Sequence, residues 1–208
     1  MHAAHYNSIC LCGRVVSPAI LSHESHAEEI YHFFLACERL SGKADMIPIH
    51  FRKESQDPCA ILPGEIVTVE GAIRSFNNKS GEGAKLVILV FAKTITLCSA
   101  PHQNTAILSG VICRPPVYRE TPLGREICDI MLAVNRRYQK SDYLPCIAWG
   151  NNARMLRDYP VGHPLSFEGR LQSRDYIKLL SDGETVRTAY EISIANLFFD
   201  EAVEYISP

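Results

Sequence analysis

Residues 164–172, Pro164-Leu165-Ser166-Phe167-Glu168-Gly169-Arg170-Leu171-Gln172, alternate between apolar and polar side chains with a period of two. Side chains two apart share one face of a strand, so Leu165, Phe167 and Leu171 point to a core and Glu168, Arg170 and Gln172 to solvent. A strand buried on one side reads this way. The pattern occurs a second time in the chain, with Val67, Val69 and Ile73 inward and Thr68, Glu70 and Arg74 outward.

The copy extends far beyond one strand. A shift of 97 places superposes Asn7 on Asn104, Gly13 on Gly110, Pro18 on Pro115, Leu35-Ala36 on Leu132-Ala133 and Arg39 on Arg136. Asp45 falls on Asp142 and Pro48 on Pro145. After one inserted residue, Gly64 meets Gly162, Glu70-Gly71 meets Glu168-Gly169 and Ser75 meets Ser173. A repeat of this length is a domain duplication, not a solenoid. Ser99-Ala100-Pro101-His102-Gln103, polar and proline-containing, marks the boundary. We therefore expect domains at residues 1–100 and 104–199, with a short tail at 200–208.

In the second repeat, apolar runs at residues 105–113, 126–134, 143–149 and 188–199 read as further strands. Residues 151–159 carry Ala153 and Met155-Leu156 among polar residues and stop at Pro160-Val161-Gly162, which predicts a short helix. Three strands, a helix and two strands is the order of a five-stranded Greek-key oligonucleotide/oligosaccharide-binding (OB) barrel. The expected fold class is all-β with short helices, two OB barrels in tandem.

With 208 residues, 47% of them apolar, the chain has material for two small cores. No apolar run approaches the roughly 18 residues of a membrane helix, and Met1-His2-Ala3-Ala4-His5 is not a secretory leader, so a cytoplasmic location is expected. The eight cysteines form no C-x-x-C pair and read as reduced core thiols. Net charge is only -2, but its distribution is uneven: Arg114 to Arg187 holds twelve Lys and Arg against nine Asp and Glu. His23-Glu24-Ser25-His26 has the wrong spacing for a zincin, and Asn77 to Gly83 lacks the ending of a phosphate loop. Neither a metal nor another cofactor is expected, and no nucleophile, base and orienting acid suggest an enzyme.

Asn135-Arg136-Arg137-Tyr138, Asp142-Tyr143-Leu144-Pro145, Trp149-Gly150, Glu168-Gly169-Arg170-Leu171-Gln172-Ser173-Arg174 and Ala189-Tyr190-Glu191 resemble, in that order, the bacterial single-stranded-DNA-binding protein family. The resemblance covers residues 104–199 closely and 7–98 loosely. It implies four base-stacking rings, which fall on Tyr138, Tyr143, Trp149 and Tyr176, and it implies single-stranded DNA as the partner. The residues themselves agree. Tyr143 and Trp149 are an even number apart, as are Arg170, Gln172, Arg174 and Tyr176, so each set shares a strand face. Rings interleaved with guanidinium groups suit single strands, because stacking contributes about 1–3 kcal/mol per base. The expected DNA-binding set is Tyr138, Tyr143, Trp149, Tyr176, Arg136, Arg137, Arg170, Arg174 and Lys178.

The first repeat has Ser41, Met46, Arg52 and Asn78 at the four ring positions. Phe51 and Phe76 lie nearby, but an offset of one residue turns a side chain to the other face. The first domain is thus expected to keep the fold for assembly or partner contact while losing most of its binding surface. The resemblance further implies four OB domains per working unit, hence a homodimer of this two-domain chain. The family's acidic C-terminal tip, which recruits replication and repair proteins, has no counterpart in Glu204-Tyr205-Ile206-Ser207-Pro208. Two alternative readings are a tandem-OB accessory of a primosome or mobile-element replication complex, and an RNA-binding OB protein.

Overall fold

The computed structural model describes residues 6–78, 84–98, 103–136, 139–180 and 183–199. The first half is built from β1 (Tyr6–Val15), β2 (Ile20–Ser25), β3 (Glu28–Glu38), β4 (Ala44–Arg52), β5 (Ile66–Asn77) and β6 (Leu86–Leu97). The second half comprises β7 (Asn104–Ile112), β8 (Val117–Glu120), β9 (Glu126–Asn135), β10 (Ser141–Trp149), the helix α1 (Asn151–Leu156), β11 (Pro164–Leu180) and β12 (Gly183–Phe198). Six segments per half make five barrel strands, because the first strand of each is interrupted by proline. Ser17-Pro18-Ala19 separates β1 from β2, and Pro115-Pro116 separates β7 from β8. Proline has no N–H for a ladder, so pairing lapses there and the strand changes direction.

Each half closes on itself in the same two ways. In the first, β1 pairs with β3 (Val15 opposite Leu35) and β4 runs parallel to β6 (Ile49 opposite Val90). In the second, β7 pairs with β9 (Ile112 opposite Leu132) and β10 runs parallel to β12 (Cys146 opposite Ile192). Closure requires close backbone approach at Gly13 and Gly110. A Cβ on Gly13 would lie 2.4 Å from the Ala36 carbonyl oxygen, and one on Gly110 would lie 2.4 Å from that of Ala133. The interiors are filled by the residues whose parity marks them as inward: Leu165, Phe167 and Leu171 are buried, as are Val67, Val69 and Ile73.

The helix is shorter than its sequence pattern suggests, ending at Leu156. The first half has no α-helix at the matching place. Only a single 3-10 turn, Pro58–Ala60, forms there, with the Asp57 side chain accepting from the Cys59 N–H. Pro58 and Pro63 lie too close together for a longer helix between them. His23-Glu24-Ser25-His26 enters a hairpin turn in which His26 and Ala27 both have positive φ, 53° and 63°. All eight cysteines are free. Burial pushes the Cys37 thiol up to about 12, consistent with a packed, unreactive group.

The barrels are joined edge to edge. β1 and β7 pair antiparallel from Tyr6 opposite Ser109 to Leu11 opposite Asn104, and Ile9 lies opposite Ala106. Ile9 and Ala106 are each other's copies at the 97-residue shift, so the join has the register of a two-fold axis. Around it the side chains are exchanged reciprocally. Asp45 accepts from Ser173 N at 2.7 Å and binds the Arg39 guanidinium, while Arg39 also donates to the Ser173 carbonyl at 3.0 Å. In the copy, Asp142 accepts from Ser75 N at 2.7 Å and from Arg74 at 3.0 Å. Tyr143 N donates to Ser75 Oγ, and Met46 N to Ser173 Oγ.

Among the described residues, the buried polar side chains are Asp45, Ser75, Asp142 and Ser173, all at this junction. A buried carboxylate is tolerated only when its lone pairs are used and its charge is opposed, and both conditions hold here. Asp142→Ala strips the partner from Arg74 and from the Ser75 N–H. It is expected to cost about 3 kcal/mol of stability, read as a lower urea midpoint in equilibrium unfolding. A shift within the roughly 0.5 kcal/mol of an ordinary surface substitution would mean that the junction does not hold the chain together.

Candidate nucleic-acid interface

β10 positions two rings. Its inward residues Asp142, Leu144, Cys146 and Ala148 are buried, which turns Tyr143 and Trp149 outward at 48% and 40% exposure. The two are six residues apart on one face, about 20 Å along the strand. Tyr143 is anchored through its N–H to Ser75 of the other barrel. Trp149 is anchored by the next residue: Gly150 takes φ 53°, ending the strand and opening α1, and its N–H donates to the Glu126 carbonyl at 2.9 Å. Arg154 on α1 pairs with the Glu126 carboxylate, which also accepts from Tyr118 Oη. Those hydrogen bonds, with Arg154 first, hold the Glu126 carboxyl down at about 2.

β11 carries the arginines. Arg170 and Arg174 are exposed, Gln172 and Tyr176 half-buried, all on the outward face, and neither arginine has an ion-pair partner among the described residues. Arg170 lies opposite Ser193 on β12, which lies opposite Ile147 on β10. Two strand spacings, about 10 Å, thus separate Arg170 from the Tyr143–Trp149 row. A base stacked on β10 has guanidinium groups within reach of its phosphates.

β11 and β12 stay paired beyond Tyr176, as far as Leu180 opposite Gly183. Tyr176 lies mid-strand opposite Arg187 and lines an apolar groove between the barrels with Phe34, Pro48, Pro145 and Tyr190. Arg136 also sits at the junction. Its Nε is 3.2 Å from Asp142 Oδ2 without an aligned hydrogen bond, so the guanidinium is held as an ion pair. Lys178 is in register opposite Thr185, its side chain outside the described ones, and Arg137 and Tyr138 lie outside the described residues. The structure thus brings together Tyr143, Trp149 and Arg170, continues the row through Arg174, and sets Tyr176 and Arg136 at the domain boundary.

The first barrel bears one correction. Phe51 is buried, as its one-residue offset from Arg52 requires, but Phe76 is 50% exposed. Phe76 is two residues from Asn78, not one, so it keeps the outward face. Phe91 on β6 is not singled out by sequence at all. Its neighbours are His50 on β4 and Ala72 on β5, and the Arg52 guanidinium lies 5.1 Å over its ring.

Comparison with known proteins matches residues 103–200 to the model of the single-strand binding protein family. The second half of the chain is thus similar to that family. A single-stranded DNA-binding protein of Bacillus cereus is 28% identical over 113 residues, 51% of this chain and 61% of that protein. Single-stranded DNA-binding protein 1 of Staphylococcus aureus is 32% identical over 80 residues, 35% of this chain and 48% of the other. The chain thus spans between about half and three fifths of these relatives' length. The crystal structure of the wild-type single-stranded DNA binding protein from Thermus aquaticus superposes with a TM-score of 0.76 at 21% identity, over 94% of this chain and 93% of that one. That likeness shows that both OB barrels and their arrangement are shared. The matched residues 103–200 contain the Tyr143–Trp149 row and both exposed arginines of β11. Among the described residues no His, Cys, Asp and Glu cluster could hold a metal, and no helix is long and apolar enough to cross a membrane.

Proposed function

We propose that the chain binds single-stranded DNA without sequence preference, in replication, recombination or repair. The observation that carries this reading is the outward row of Tyr143 and Trp149 flanked by the exposed Arg170 and Arg174, which have no ion-pair partner among the described residues, on the half that matches the single-strand binding family. Every base has a face that stacks on a ring, and every phosphate pairs with a guanidinium, so such a surface reads no sequence. Tyr138, Tyr176, Arg136, Arg137 and Lys178 complete the proposed path, with Arg136 acting as much on Asp142 as on DNA. The work is binding, not turnover, and the matched relatives are named as binding proteins. The second domain is the principal platform, and the first supplies the scaffold that holds it.

Trp149→Ala is expected to weaken binding of a labelled oligothymidine by about 1–3 kcal/mol, measured by fluorescence anisotropy, with the far-UV circular dichroism of the parent retained. Undiminished affinity in the folded variant would remove Trp149 from the path.

We further propose a homodimer presenting four OB domains. Support comes from the two-fold register at Ile9 and Ala106, through which one chain already forms the symmetric two-barrel unit that separate single-barrel chains would have to assemble. Light scattering at micromolar concentration is expected to give twice the chain mass of 23.3 kDa. A single-chain mass would contradict it.

A further inference from the structure

Three of the eight thiols gather on one face of the first barrel. Ile9 and Leu11 of β1 are buried in the core, so Cys10 and Cys12 share the other face of that strand. Cys12 lies opposite Thr68 on β5, which lies opposite Thr96 on β6. Cys98, the residue after β6, has the parity of Thr96 and belongs to the same face. Its thiol is hydrogen-bonded to that of Cys12, and Cys12 is also hydrogen-bonded to the Thr68 side chain. Burial first, then the Cys98 contact, push the Cys12 thiol above its ordinary value, while Thr68 opposes them. Cys10 is a neighbour of Glu70 and Cys98 through charge alone. Cys12 is buried, and Cys10 and Cys98 are half-buried.

The barrel itself does not call for these thiols. In the second half, Ser109 and Ser166 stand at the places of Cys12 and Thr68, and their hydroxyls hydrogen-bond at 2.8 Å. A serine therefore meets the packing and polar needs of the position. What cysteine adds at position 12 is a second thiol within contact, and that thiol sits where the two domains are connected. The Cys98 N–H donates to the Ile66 carbonyl at 3.0 Å, and the Cys12 N–H donates to the Gln103 carbonyl at 2.7 Å. The residue that ends the first domain and the residue that precedes β7 are thus both bonded beside this pair. β1 carries the join between the barrels at the same point, with Leu11 opposite Asn104.

We propose that Cys12 and Cys98 are a thiol-oxidation site, at which a low-molecular-weight disulfide such as oxidised glutathione joins them and so fastens the exit of β6 to the strand that bears the inter-barrel join. The half-buried Cys98 is the point of entry. Its thiolate attacks one sulfur of the oxidant, forms a mixed disulfide and releases one glutathione. The Cys12 thiolate then attacks Cys98 Sγ and expels the second. One S–S bond is lost from the oxidant and one is gained by the chain, and the two cysteine protons end on the two departing glutathiones. The raised Cys12 thiol makes the second step slow near neutral pH and faster in mild alkali. Joining residue 12 to residue 98 encloses nearly the whole first barrel in one covalent loop, which restricts the unfolded chain and stabilises the folded one. The site is independent of how the second domain meets DNA.

The test treats the folded, reduced full chain with oxidised glutathione at about pH 8.5, then blocks the remaining thiols and maps the peptides by mass spectrometry. Cys59, the exposed thiol, should take up glutathione and so reports that the oxidant is active. The expected product links the peptide of Cys12 to that of Cys98. Its thermal midpoint should rise by about 5 °C or more, and dithiothreitol should reverse the rise. Cys12→Ser, which installs the residue the second barrel already uses, should fold as the parent does, leave glutathione on Cys98 and show no such rise. Cys12 and Cys98 both free after Cys59 has reacted would overturn the site. A Cys10–Cys98 link would overturn the pairing, and a Cys12–Cys98 link without a higher midpoint would overturn its role in fastening the barrel.

Discussion

Everything in this molecule depends on two buried carboxylates placed where one barrel meets the other. Asp45 of the first barrel closes on Ser173 of the second, and Asp142 of the second closes on Ser75 of the first. Each aspartate takes a backbone N–H from across the junction and faces an arginine, which makes the pairing specific in register as well as favourable. A slip by one residue between β1 and β7 would leave both charges buried and unmatched. The junction therefore fixes how β10 and β11 of one half stand relative to β4 and β5 of the other, and Tyr143, Arg136 and Arg74 are placed by the same contacts.

Duplication has freed the two halves to diverge while that junction is retained. Asn7 and Asn104 perform one task in each copy, bonding both the N–H and the carbonyl of Ile73 and of Leu171. The outward faces do not match. The second barrel puts large rings on β10 and cations on β11, whereas the first puts a cation on β4 and rings on β5 and β6. An outward face is not constrained by packing, and so it tolerates such an exchange more readily than a core tolerates a change in volume.

Much of this is legible in the amino-acid sequence, for a physical reason. Strand parity is a local property, so the burial of Leu165, Phe167 and Leu171 and the exposure of Arg170 and Arg174 follow from spacing alone. The duplication is likewise visible, and Asp45, Asp142, Ser75 and Ser173 stand out as matched pairs. Their meaning does not follow, because self-comparison aligns a residue with its own copy, whereas the contact joins Asp45 to the copy of Ser75. Arg136 consequently reads as a DNA ligand from sequence, while the structure ties it to Asp142. Phe91 is hidden in the apolar run of β6, where parity is masked; Lys93, exposed two residues on, is the signal that marks its face.

Trp149 is the sole tryptophan, which makes the central claim directly observable. Titrating the unmodified chain with oligothymidine at low and at moderate salt, and following tryptophan emission, reports stacking on that ring itself. A single-strand binder that uses the Tyr143–Trp149 row should show saturable quenching at both salt concentrations, with the midpoint moving to higher oligothymidine concentration as salt rises, because phosphate contacts release counterions. Emission that stays constant while the oligonucleotide binds would show that DNA takes another route, and constant emission with no binding would contradict the assignment of this surface to single strands.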